Sequence, residues 1–96
     1  MNGQKQIPEQ ELHALHDEAF RWAMSCCNYD EEKAKDLMQT VYVNILNQKA
    51  IFDGRSSLRT WLYAVIRRIS WQLYRKENSI ERLREKIANL MARDND

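Results

Sequence analysis

Residues 52–76 read FDGRSSLRTWLYAVIRRISWQLYRK, and this stretch decides the fold. It opens on a phenylalanine and an Asp-Gly turn, passes two serines suited to capping a helix, and then spaces Leu58, Leu62, Val65, Ile69 and Leu73 three to four residues apart. That period marks an amphipathic helix with one buried stripe. The remaining surface mixes arginine with tryptophan and tyrosine, a combination suited to phosphates and unstacked bases. Residues 49–76 hold seven bases (Lys49, Arg55, Arg59, Arg67, Arg68, Arg75 and Lys76) against the single acid Asp53, a local charge of +6. Residues 1–48 hold four bases against eight acids, and the last twenty residues come to −1. The net charge of +1 therefore conceals a polarised molecule.

The helical period extends both ways from this stretch. After Pro8, a good first-turn residue, apolar side chains recur at Leu12, Leu15, Ala19, Ala23 and Cys26 or Cys27, which predicts a first helix over residues 8–27 ending near Asn28. Asp30 or Asn28 can cap a second helix, with Glu31 and Glu32 complementing its positive end. Its stripe is Ala34, Leu37 or Met38, Val41, Ile45 and, at the end, Leu46. Ser56 or Ser57 then caps the third helix. Asn78-Ser79-Ile80-Glu81 reads as a capping box opening a fourth, with Ile80, Leu83, Ile87 and Leu90 in heptad-like register. Neither Asn78 nor Ser79 breaks a helix, so the third and fourth helices can equally be one rod. The Ile80–Leu90 stripe either packs on the body or serves as a docking or dimerising helix.

With 96 residues, two glycines and one proline, the expectation is an all-α bundle of three to four helices. Residues 1–7 form a polar N-terminus, residues 8–76 the helical body and residues 77–96 a C-terminal amphipathic helix. No segment approaches the roughly twenty apolar residues of a membrane-spanning helix, and no signal-peptide pattern opens the chain. Cys26 and Cys27 are neighbours that cannot easily pair on a helix, so a reducing cytosol is the default compartment. His13, His16, Cys26 and Cys27 are zinc-ligand types at spacings that close no tetrahedral site. No metal and no cofactor are expected. There is no glycine-rich phosphate cradle, nucleophile elbow or acid pair, so catalysis is not indicated.

Three groups of residues carry the binding chemistry. With Leu37 and Met38 facing inward, Asp36, Gln39, Thr40 and Val43 share the outer side of the second helix, either as a plain solvated face or as a contact patch. Around the loop, Phe52, Gly54, Arg55 and Ser56 place a ring, free backbone donors and a cation about one concavity, which suits a flipped-out base and its phosphate. The plainer alternative makes Phe52 a core plug and Asp53-Gly54 an ordinary turn. On the third helix Arg67, Trp71, Tyr74 and Arg75 line one side with Arg68 at its edge. The acids that normally intersperse a soluble face are missing, and phosphate is the commonest partner of such a stripe.

From about Glu11 to Lys76 the chain resembles region 2 of the extracytoplasmic-function group of bacterial sigma factors, the promoter-reading subunits of RNA polymerase. The resemblance is carried by Asp36-Leu37-Met38-Gln39-Thr40-Val41-Tyr42, where the family writes Asp-Leu-Val-Gln-Glu, and by Phe52-Asp53-Gly54-Arg55-Ser56-Ser57-Leu58-Arg59-Thr60-Trp61-Leu62-Tyr63. It implies that Asp36 and Gln39, with Thr40 and Val43, dock on the clamp coiled coil of the polymerase β′ subunit; Thr40 departs from the usual glutamate. It implies that Phe52, Gly54, Arg55 and Ser56 capture a base flipped from the non-template strand of the promoter minus-ten element. Arg59, Tyr63, Arg67, Arg68 and Trp71 would complete the base pocket and the phosphate contacts, and Arg75 extends the stripe. Many members carry asparagine where this chain has Arg68; arginine favours guanine or phosphate, so the promoter sequence is not carried over. An anti-sigma protein is a further partner the resemblance implies. Family members also continue into a region 4, a helix-turn-helix domain absent from these 96 residues, so the expectation is an excised domain or a short subunit with a separate region-4 partner. The competing reading is a sigma-like interaction module that binds polymerase or an anti-sigma protein without reading DNA.

Overall fold

The apolar periods become four helices: α1 (Glu9–Ala14), α2 (His16–Cys26), α3 (Glu31–Leu46) and α4 (Leu58–Asp94). The computed structural model describes residues 7–94, with side chains up to Arg93. Expectations for residues 1–6, 95 and 96 lie outside the described residues. No strand occurs among the described residues, as the all-α reading requires.

The single helix expected over residues 8–27 is interrupted at Leu15. Its φ of −84° and ψ of −8° tighten the chain, and its N–H is shared between the carbonyls of Glu11 and Leu12, at 3.1 and 3.2 Å. Leu12 and Leu15 both still pack on the core. After α2 the chain reverses through Asn28 and Tyr29, with φ of 53° and 62°, and the Tyr29 N–H donates to the Met24 carbonyl at 2.7 Å. Asp30 is the residue that caps α3, accepting from the Lys33 N–H at 3.2 Å.

α2, α3 and α4 pack on one another around a small core. Ala19 and Ala23 come from α2, Ala34, Leu37, Met38, Val41 and Ile45 from α3, and Leu58, Leu62, Val65, Ile66 and Ile69 from α4. Leu46 is 81% exposed, contrary to its placement on the stripe, because one residue beyond Ile45 turns it about 100° away from the core. Between α3 and α4, the N–H groups of Lys49 and Ala50 both donate to the Asn44 carbonyl, and this folds Ala50 fully inside. Gly54, at φ 79°, supplies a left-handed conformation that a side chain would oppose. Ser57, not Ser56, caps α4, accepting from the Thr60 N–H at 3.1 Å.

α4 runs 37 residues without interruption, about 55 Å. The capping box at Asn78-Ser79 does not form: both residues keep their backbone donors and lie mid-helix, so the rod continues through them. Leu73, expected in the core, is 36% exposed because it lines an open groove with Cys27 and Leu37. From Trp71 to Arg93 every side chain except Asn78 is exposed, including the whole Ile80–Leu90 stripe. The tail therefore does not fold back on the body.

One polar tie fastens α2 to α4. The Glu18 carboxylate accepts from the Tyr63 hydroxyl at 2.6 Å and from the Arg59 guanidinium at 3.0 Å. Beside it the Trp22 and Tyr63 rings stack at 4.9 Å, and the Trp22 indole donates to the Tyr63 carbonyl at 3.1 Å. The Tyr63 hydrogen bond is the main influence holding the Glu18 carboxyl below its ordinary pKa, and the same bond pushes the Tyr63 phenol up.

Two outcomes follow. Leu62→Ala, at a fully buried position, costs about 2–5 kcal/mol in urea unfolding, whereas Leu46→Ala stays within about 0.5 kcal/mol of the parent. Since the folded-state pKa of Glu18 is depressed, its contribution is present above the ordinary carboxylate range and is lost as pH falls through the lowered value. Unfolding midpoints measured across that acid range should fall more steeply for the parent than for Glu18→Gln; parallel curves would refute the tie.

Candidate functional site

The helices sort the predicted site residues into three surfaces. On α3, Asp36, Gln39 and Val43 stand exposed and Thr40 lies half-buried among them. Thr40 donates its hydroxyl to the Asp36 carbonyl at 3.0 Å, and Asn44 donates its side-chain amide to the Thr40 carbonyl at 2.8 Å. These bonds turn the Thr40 hydroxyl proton and one Asn44 amide proton back onto the helix itself. The Asp36 carboxylate makes no ion pair among the described residues. The patch forms a ridge between two grooves. One, of about 590 Å³, runs along α2 past Phe20, Arg21, Gln39 and Tyr42; the other, about 490 Å³, runs along α4 past Asp36, Thr40, Leu73 and Tyr74. In the first groove His16 stacks on Tyr42 at 5.8 Å, with a hydrogen bond of 2.7 Å between His16 Nδ1 and the Tyr42 hydroxyl.

The loop is pinned to α4 by one indole. Trp61 donates Nε1–H to the Ile51 carbonyl at 2.8 Å, and the Phe52 ring tilts against it at 5.2 Å. Phe52 is half-buried as the inner wall of the loop, while Gly54, Arg55 and Ser56 are exposed. Asp53 orders the turn by accepting from the Arg55 N–H at 3.0 Å and pairs with the Arg55 side chain at 3.2 Å. That side chain is still 90% exposed, and it remains available to an external anion.

α4 divides the remaining predicted residues. Arg67, Arg68, Trp71 and Arg75 are exposed and sweep along the side of the helix turned away from the core, with Tyr74 beside them. No acid occurs from Gly54 to Lys76. Arg59 and Tyr63 face α2 instead, where Glu18 holds both. Glu18 and Trp22 carry no signal in the sequence, since their partners lie 41 to 45 residues further on. Cys26 and Cys27 end α2 at the α4 groove; burial pushes both thiols up, away from the reactive thiolate. No helix among the described residues is long and apolar enough to cross a membrane.

Comparison with known proteins places the chain in a family. The family profile described as Sigma-70 region 2 matches residues 12–80, which takes in α2, α3, the loop and the first two-thirds of α4. The extracytoplasmic-function RNA polymerase sigma factor SigX of Bacillus subtilis (strain 168) is 39% identical over 51 residues, 53% of this chain and 26% of the relative. The RNA polymerase sigma factor YlaC of the same organism is 46% identical over 46 residues, 48% of this chain and 27% of the relative. Each match thus spans about a quarter of the relative's length. No solved structure matches the chain. A helical body whose α3 ridge and Phe52–Tyr63 signature fall inside a match to well over half of the sequence belongs to the Sigma-70 region 2 family.

Proposed function

We propose that this chain works as a region 2 of the extracytoplasmic-function type, binding core RNA polymerase through α3 and the melted non-template strand of the minus-ten element through the loop and α4. The observation that carries this reading is the segregation of two surfaces on one small body. An exposed, acid-bearing ridge lies on α3, and a ribbon of arginines and rings without any acid lies on α4. Exposed Asp36 and Gln39 beside the apolar Val43 suit a helical protein surface, and this supports the clamp coiled coil of β′ as the partner. The domain acts by binding and not by catalysis.

Strand separation on such a surface is energetically reasonable. A base stacked on an aromatic ring gains about 1–3 kcal/mol, comparable to the few kcal/mol that unpairing costs. Trp71 and Tyr74, 58% and 62% exposed, offer ring faces beside Arg67, Arg68 and Arg75. Arg55, Gly54 and Ser56 offer a cation and backbone donors at the loop, with Phe52 and Trp61 behind them. Arg59, 62% exposed, can offer its remaining guanidinium donors to a phosphate while still holding Glu18, whereas the Tyr63 hydroxyl donates to Glu18 and joins the interface as a donor only when it is released. An anti-sigma protein would act by covering either surface, and a region-4 protein would supply the upstream promoter contact.

Polymerase-dependent binding to a single-stranded minus-ten oligonucleotide should weaken at least about tenfold in Arg67→Ala/Arg68→Ala. The salt-dependence slope should also fall, by about 0.7 for each phosphate that the variant no longer neutralises. Unchanged binding would remove DNA from α4 and favour the interaction-module reading. Asp36→Ala/Gln39→Ala should abolish co-elution with core polymerase while leaving the melting curve intact; retained co-elution would move the clamp site off α3.

A further inference from the structure

The tail of α4 presents an apolar stripe that nothing in the body covers. Ile80, Leu83, Ile87 and Leu90 are 42%, 60%, 51% and 59% exposed on a helix that continues straight out of the core. Their spacing is a heptad in phase with the body: Leu73, Ile80 and Ile87 occupy the a positions, and Lys76, Leu83 and Leu90 the d positions. We propose that this stripe is a homodimer interface, in which two copies of the chain pair their α4 tails antiparallel over residues 73–90.

The flanking charges select both partner and direction. In a parallel pair, Gln72, Ser79 and Lys86 at g would meet Glu77, Arg84 and Met91 at e, and no opposite charges would meet. In an antiparallel pair with Ile80 against the partner's Leu83, Glu77 lies beside the partner's Arg84, and the two-fold axis repeats the contact. A slip of one heptad either way sets Glu77 against Glu77 or Arg84 against Arg84, so a single register is complementary. The same register sets Leu73 against the partner's Leu90, at the mouth of the 490 Å³ groove formed by Cys27, Leu37, Leu73, Tyr74 and Ile80. The negative C-terminal end of the partner's helix then arrives near Lys33 and Lys76, which border that groove. Within the monomer Glu77 pairs with Lys33 at 3.6 Å and Arg84 with Glu81 at 2.9 Å, all four side chains more than half exposed. Such exposed pairs hold little energy, and a carboxylate can accept a second cation. Lys76 meets the partner's Ile87 with its aliphatic stem, its ammonium reaching solvent at the edge.

Sedimentation equilibrium of the full chain under reducing conditions tests this. The expected result is a concentration-dependent rise from 11.5 kDa towards twice that mass. Leu83→Asp or Ile87→Asp should hold the mass at the monomer value with the helical circular dichroism of the body retained. Glu77→Arg and Arg84→Glu should each weaken dimerisation about tenfold, and the double reversal should recover most of the loss, which isolates the intermolecular pair from the intramolecular ones. A chain that stays monomeric at every concentration overturns the proposal, as does a dimer indifferent to Leu83→Asp or reversals whose effects simply add. A monomeric tail that gains protection from proteolysis only when core polymerase is added would assign the stripe to polymerase and likewise overturn it.

Discussion

The close approach of α2 and α3 to α4 is the constraint on which the rest of the molecule depends. Ala19, Ala23 and Ala34 are fully buried, and side chains this small let Leu37, Leu62 and Ile66 fill the centre of a very thin body. The buried residues of the described chain are all apolar, so no hydrogen bond between fully buried side chains specifies the packing. Specificity comes from the seams. Glu18 with Tyr63 and Arg59 fixes α2 on α4, and Trp61 with the Ile51 carbonyl fixes the loop on the start of α4. Each seam uses a residue of the Phe52–Tyr63 segment, so the residues nearest the proposed DNA face also hold the fold together.

This sharing constrains how the proposed interface can be built. Arg59 and Tyr63 stand on the α2 side of α4 because Glu18 is there to receive them, whereas Arg67, Trp71 and Arg75 stand on the open side. The outer ribbon can meet a strand without disturbing the body. Of the inner pair, Tyr63 is the constrained member, since redirecting its hydroxyl proton breaks an interhelical tie, while Arg59 is 62% exposed. Phe52 shows the same economy: its half-buried ring is set against Trp61, the residue that pins the loop.

Much of this was legible in the sequence because helical spacing and charge are local signals. The α3 stripe through Ala34, Leu37, Met38, Val41 and Ile45, a cap at Asn28 or Asp30 and another at Ser56 or Ser57, and the basic, acid-free half of α4 from Leu58 to Lys76 follow from residue type at short range. What was not legible depends on distance or on near-degenerate alternatives. Glu18 finds Tyr63 across 45 residues, a pairing no local pattern encodes. The break at Leu15 occurs at a residue with no helix-breaking character. At Asn78-Ser79 a cap and a continuing helix differ little in local energy, and the apolar phase running from Ile69 through Leu73 to Ile80 is equally compatible with both. The three groups of proposed contact residues were recognised as surfaces, but the partition of the α4 group between an open ribbon and an acid-held pair required the fold.

The continuity of α4 carries one more consequence. Neither glycine nor proline occurs after Gly54, so the helix has no hinge between the body and its far end. The arginine ribbon and the projecting tail are two regions of a single lever about 55 Å long, pivoting on the core at Leu62, Ile66 and Ile69. A load applied at the far end is transmitted as torque to the seams with α2 and the loop, where Glu18 and Trp61 resist it. Mechanical coupling between the two ends is thus built into the covalent continuity of one helix, without any relay of side chains between them.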